Sequence, residues 1–116
     1  MKFEDLAGGM RSLLDAPSPA VLTLYRPDGE AIVSPVWFRV DDGWFEMVIA
    51  ATDHKLEHLR RDPRCVLLVF EAIPPFRGVQ VRSRATLTPD EGAVVRLAIA
   101  SRYLGSEGGR RYADPE

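Results

Sequence analysis

A mainly β fold with flanking helices, forming a small and mostly antiparallel barrel, is predicted by three features of this 116-residue sequence. Short apolar segments recur at roughly ten-residue intervals between turn residues, the spacing of strands in a small barrel. Helical periodicity is confined to three short stretches. The run RCVLLVFEA is apolar almost throughout, which predicts a strand buried on both faces and hence the centre of the core. With 46% hydrophobic residues, a chain of this length forms one domain, 1–116, that buries roughly two-thirds of its unfolded surface without a metal or disulfide.

The elements follow in order. Phe3, Leu6, Met10, Leu13 and Leu14 recur at helical spacing, so residues 1–15 form a packing helix, loosened at Gly8 and Gly9 by about 1 kcal/mol each against alanine. Pro17 and Pro19 end it. AVLTLY is the first strand, Pro27, Asp28 and Gly29 form a tight turn, and AIVSPVWFRV returns as the second strand. Pro35 has no N–H to give a ladder and belongs at an edge or a bulge. The turn at Asp41, Asp42 and Gly43 leads into a third strand from Trp44, completing an antiparallel meander in which Phe45, Met47 and Ile49 alternate with Glu46, Val48 and Ala50. Thr52 or Asp53 caps a short helix whose Leu56 and Leu59 share one face. Pro63 stops it, and RCVLLVFEA follows. After the rigid loop at Pro74 and Pro75, GVQVRSRATLT alternates Val79, Val81 and Ser83 with a wet face of Gln80, Arg82 and Arg84. Asp90 caps a last helix that carries Val94, Leu97, Ala98 and Tyr103 and ends at Gly105, leaving 106–116 as a flexible tail.

A net charge of −2 and a pI near 5.7 provide no global cationic field for nucleic acid or an anionic membrane. No apolar run reaches membrane-spanning length, and the acidic start lacks a signal-peptide core. The single cysteine, Cys65, lies in an apolar run and has no internal partner, so a reducing, cytoplasmic setting is expected. Charge is unevenly spread. From 54 to 84, Lys55, Arg60, Arg61, Arg64, Arg77, Arg82 and Arg84 outnumber Glu57, Asp62 and Glu71 by four charges. The start of the short helix adds exposed N–H groups and the positive end of a dipole, and Lys55 adds a full charge. The stretch thus reads as a phosphate cradle or as an ordinary capped surface helix with solvated cations. HKLEH matches the H-x-x-E-H zinc pattern in form but lacks a third ligand on a second helix, so no metal is assigned. No G-x-S-x-G, C-x-x-C or Walker-type loop occurs, and no side chain is assigned a catalytic role.

Taken together, SPVWF (34–38), ATDHKLEHLRRDPR (51–64), QVRSRA (80–85) and RYLG (102–105) resemble, in order and spacing over 20–105, the pyridoxamine 5'-phosphate oxidase-like family of flavin- and deazaflavin-binding split barrels. The resemblance implies a split barrel of Greek-key type and a homodimer with the site between subunits. It places Ser34, Pro35, Val36 and Trp37 along the isoalloxazine ring, Thr52 and Lys55 at the phosphate, and Arg60, Arg61 and Arg82 beside the tail. A bulge at Pro35 would free the backbone of Ser34 and Val36 to meet a ring edge, and Trp37 offers a flat face for stacking. The plainer alternatives are a core tryptophan and a solvated arginine face. The implied activity is transfer of hydride or electrons between FMN, or the deazaflavin coenzyme F-420, and a small organic substrate. FMN is preferred for the compact Thr52 and Lys55 site, whereas the Arg60, Arg61 and Arg64 run suits a polyanionic deazaflavin tail. The other readings are a non-catalytic carrier or sensor of flavin or haem, and a cofactor-free partner-binding domain. Oxidation of pyridoxamine phosphate itself is disfavoured, because no second cationic cluster is evident for a substrate phosphate. Such relatives continue past the RYLG helix into a further strand, so the residues after 105 should be extended, or the barrel completed otherwise.

Overall fold

Alternation builds the sheet. The computed structural model describes residues 8–113. In it β1 (Ala20–Tyr25) and β2 (Ala31–Val36) form a hairpin, β3 (Arg39–Asp41) and β4 (Trp44–Glu46) a smaller one, and β5 (Arg64–Phe70) and β6 (Gly78–Arg84) a third. β5 pairs antiparallel with β1, giving a four-stranded sheet in the order β2-β1-β5-β6. Leu22, Leu24, Cys65, Leu67 and Val69 all point to its inner side and are buried. There they meet Leu13 and Leu14 of helix α1 (Gly8–Asp15), Phe38, Phe45, and Leu59 of helix α2 (His54–Arg61). Each such fully buried side chain contributes roughly 1.5–3 kcal/mol of transfer free energy. The fold is thus the mainly antiparallel split barrel with flanking helices that the sequence predicts.

Several expectations change. β5 is buried on its inner face alone; Arg64 and Leu68 on the other face are exposed, because the helices cover one side of the sheet. The three-strand meander is broken at Trp37 and Phe38. The chain leaves the large sheet there, and β3 pairs with β4 in a separate two-stranded sheet that ends at Glu46. Pro35 lies on the edge strand β2, and the register from Ala20↔Val36 to Tyr25↔Ala31 runs without interruption, so there is no bulge. The packing helix is described from Gly8 onward, and Phe3 and Leu6 lie outside the described residues.

The segment after 105 is helical as far as Ala113, where a flexible or extended tail was expected. Helix α3 (Val94–Ala113) consists of two arms that meet at Gly105, whose φ of 79° and ψ of 165° are non-helical. The glycine therefore ends the first arm as predicted, but a second arm begins at once. In a straight helix, residues 96 and 112 would stand about 24 Å apart. Instead an Arg96 Nη2 donates to the Tyr112 carbonyl at 3.2 Å, so the second arm doubles back along the first. Gly109 makes this possible: a Cβ there would land on the Ser101 backbone.

Candidate functional site

RYLG holds the helical layer against the barrel. The Arg102 guanidinium donates to the carbonyls of Leu14 (2.6 Å), Asp15 (3.0 Å) and Ala16, the open C-terminal end of α1. Tyr103 Oη donates to the Ser18 carbonyl at 3.0 Å and accepts the Phe38 N–H at 3.3 Å. Phe38 is fully buried, so the preceding residue turns the other way. Trp37 lines a groove of about 730 Å³, a size suited to a small organic ligand, bounded by the start of β1, the end of β2, residues 48–55 and α3. Its indole stacks on Tyr103 with centroids 5.0 Å apart and planes 7° from parallel. Tyr112, from the second arm of α3, meets the same indole at 5.1 Å and 46°. One face of the indole expected to stack on a ligand is therefore covered by the chain's own Tyr103.

The charged members of the lining are Asp53, Lys55 and Arg96. Asp53, and not Thr52, caps α2: its Oδ1 accepts the Lys55 N–H at 2.8 Å. Its Oδ2 lies 3.1 Å from Lys55 Nζ. The Lys55 N–H first, and its side chain second, hold the Asp53 carboxyl below the usual 3.8. The helix start lies where predicted, and its first-turn lysine is engaged by the chain's own carboxylate. At the other end of α2, side-chain and backbone hydrogen bonds from Arg64 lower the Asp62 carboxyl to about 2.

Of the nine site residues expected from sequence, Pro35, Val36, Trp37 and Lys55 line this groove. Ser34 faces the barrel interior opposite Leu22, and its buried Oγ has no hydrogen-bond partner. Thr52 is exposed beside the cap. Arg60 and Arg61 are exposed in the last turn of α2, with Arg61 bonded to His58 at 3.0 Å. Arg82 is exposed on β6 opposite Val66. These five lie outside the lining. In HKLEH, His54 meets Glu57 at 3.6 Å while His58 meets Arg61, and no group of three metal-ligating side chains occurs among the described residues.

Sequence reasoning missed Arg96 and Tyr112 and read Tyr103 as packing. A signal for two of them was present: Arg96, Ile99, Ala100 and Tyr103 recur at helical spacing, and all four line the groove. Tyr112 had none, because its place depends on the reversal at Gly105.

The chain is thus a split barrel with an aromatic groove beside a capped helix start. The family model described as pyridoxamine 5'-phosphate oxidase matches residues 6–115, and the chain belongs to that family. Among curated proteins, none matches. Of solved structures, an F420 reductase is similar at 27% identity with a TM-score of 0.78, over 86% of this chain and 80% of that one. A conserved hypothetical protein from Mycobacterium tuberculosis is similar at 23% identity, with a TM-score of 0.76 over 97% of this chain and 74% of that one. The haem storage protein HutZ from Vibrio cholerae shares the fold at 11% identity, with a TM-score of 0.71 over 97% and 84% of the two chains. No helix among the described residues is long and apolar enough to cross a membrane.

Proposed function

We propose that the groove binds a flavin-type redox cofactor, FMN or its deazaflavin counterpart F-420, and that the protein is a cytoplasmic oxidoreductase acting on a small organic substrate. The observation that carries this reading is that one groove contains both a wall of three aromatic rings, Trp37, Tyr103 and Tyr112, and a lysine at a helix start. A planar ring system stacks on the first and an attached phosphate pairs with the second. When bound, such a cofactor supplies the hydride or electron transfer itself. The residues of this chain bind and orient it: Trp37 fixes the ring plane, Lys55 holds the anionic group, and Val36, Ile49 and Ile99 exclude water along the apolar side. Likeness to an F420 reductase supports the deazaflavin, while the single lysine suits the one phosphate of FMN.

The pairing of two copies belongs to the same proposal. Val21, Pro35 and Phe70 line the groove and lie on the outer sheet face with exposed Val33 and Leu68, so a second copy seated there would close the groove.

Titration of the purified chain with FMN, F-420 and haem, followed by visible absorbance, tests the reading. Saturable binding of FMN or F-420, then turnover with a reductant, is the expected result. Binding of haem alone would replace it with the carrier reading, for which the lining offers tyrosine as ligand and no histidine, cysteine or methionine. Failure of all three cofactors to bind would remove it.

A further inference from the structure

The two tyrosines against the Trp37 indole are held differently. Tyr103 lies nearly parallel to the indole and is fixed through its hydroxyl, which donates to the Ser18 carbonyl at 3.0 Å and accepts the Phe38 N–H at 3.3 Å. Tyr112 is tilted by 46°, with its ring centre 5.1 Å away, and stays 53% exposed. It belongs to an arm with little to hold it down. Of residues 106–112, Gly109 alone is buried. A helix of this length does not persist unaided, and the adjacent Gly108 and Gly109 weaken it further. The arm is tied back at its Tyr112 end, where the Arg96 guanidinium donates to the carbonyl at 3.2 Å and sits 5.5 Å from the ring centre. The break at Gly105 separates it from the first arm, so it can turn about that one residue. Tyr112 also stands in a ligand's way. A flat molecule between Tyr112 and Trp37 needs the rings about 7 Å apart, twice a carbon contact distance, and their centres are 5.1 Å apart. The part of Trp37 that can be vacated is the part under Tyr112.

We propose that the second arm of α3, residues 106–113, is an autoinhibitory strap: Tyr112 holds the place on Trp37 that an entering planar ring takes, and the ring enters by swinging the arm aside about Gly105. The identity of that ring rests on the flavin reading; the competition between ring and tyrosine does not. Apparent affinity is then reduced by the fraction of molecules whose arm is open, so whatever releases the arm tightens binding.

The test is fluorescence titration of the full chain with FMN and with acridone, a neutral planar tricycle that carries no phosphate, joined to hydrogen exchange of amides 106–113. Tyr112→Ala removes the ring, and Gly109→Ala pushes the arm off Ser101 with its tyrosine intact. Each should bind both probes about two- to tenfold more tightly than wild type, the value of one aromatic contact. Tyr112→Phe keeps the ring and should match wild type. In wild type, a saturating probe should speed exchange across the arm. Equal or weaker binding by Tyr112→Ala overturns the proposal, because the tyrosine then assists the ligand. Slower exchange of the arm on binding overturns it too, as the mark of a lid that closes on its ligand, and so does failure of acridone to bind any form. If acridone gains in both variants while FMN binds none, the flavin reading falls and the strap stands. If FMN binds wild type tightly and gains in neither variant, the strap falls and the flavin reading stands.

Discussion

At the scale of single residues, the decisive contact is between Asp53 and Lys55. The carboxylate caps α2 and pairs with the lysine, so an incoming phosphate meets a negative charge as well as a positive one. Asparagine caps helices about as well as aspartate. Asp53→Asn should therefore keep the cap and lose only the Lys55 ion pair, a small drop in melting temperature, while tightening FMN binding, measured by flavin fluorescence; weaker binding would show that the carboxylate assists the ligand. Lys55→Ala should weaken FMN binding by about 1.5–3 kcal/mol, the range for a charge-assisted bond, and an unchanged Kd would take Lys55 out of the site. Ser34 gives a prediction of the opposite kind. A buried hydroxyl with no partner costs roughly 1–3 kcal/mol of desolvation, so Ser34→Ala should leave stability unchanged or raise it in thermal unfolding. A clear loss would point to a hydrogen bond that the hydroxyl makes in solution. Lys55 was legible in the sequence because a cap and a first-turn lysine are three-residue features. The inward turn of Ser34 was not, since it depends on Leu22 lying opposite in the register.

At the scale of elements, α2 and α3 respond differently to their surroundings. Carboxylates whose titration is lowered in the fold flank α2: Asp53, which caps its first turn, is lowered by Lys55, and Asp62, which ties the residue after the helix to the start of β5, by Arg64 to about 2. A lowered carboxyl stabilises fully above its unfolded value, 3.8 for both, and the contribution is lost as pH falls through the folded value. Helicity and melting temperature should accordingly drop between about pH 4 and pH 2, and Asp62→Asn should flatten part of that slope in circular dichroism. The reversal in α3 depends on close approach rather than charge. Gly109→Ala puts a methyl group into the Ser101 backbone, so amides 106–113 should exchange hydrogen faster while β1 and β5 keep their protection. Uniform protection in the variant would mean that the arm tolerates the shift. Gly105 was readable as a helix end, because a glycine after a periodic run is a local signal. That a second arm follows and carries Tyr112 back to Trp37 was not, because the pairing is decided by Arg96 sixteen positions earlier.

At the scale of the whole molecule, alternation read β6 correctly but overran β4, which ends at Glu46. The strand that misled was β5, whose continuous apolar run predicts burial on both sides and finds it on one. That discrepancy has physical content. Leu68 and Val33, exposed by 40% and 62%, lie on the same outer face as Val21, Pro35 and Phe70, three residues that also line the groove. An apolar run on that face is accounted for if something covers it, and in the proposed pair a second copy would do so while closing the groove. A charge placed there should weaken the pair, because a carboxylate buried against the apolar outer face loses its hydration. Light scattering of wild type should give twice the 12.9 kDa of the chain, and Leu68→Asp should return it to the single-chain mass. The same substitution should weaken FMN binding even though Leu68 lies outside the lining, since the second wall of the groove departs with the partner. A wild-type monomer that binds FMN as tightly as any dimer would separate the exposed face from the site, and would assign the apolar run in β5 to folding alone.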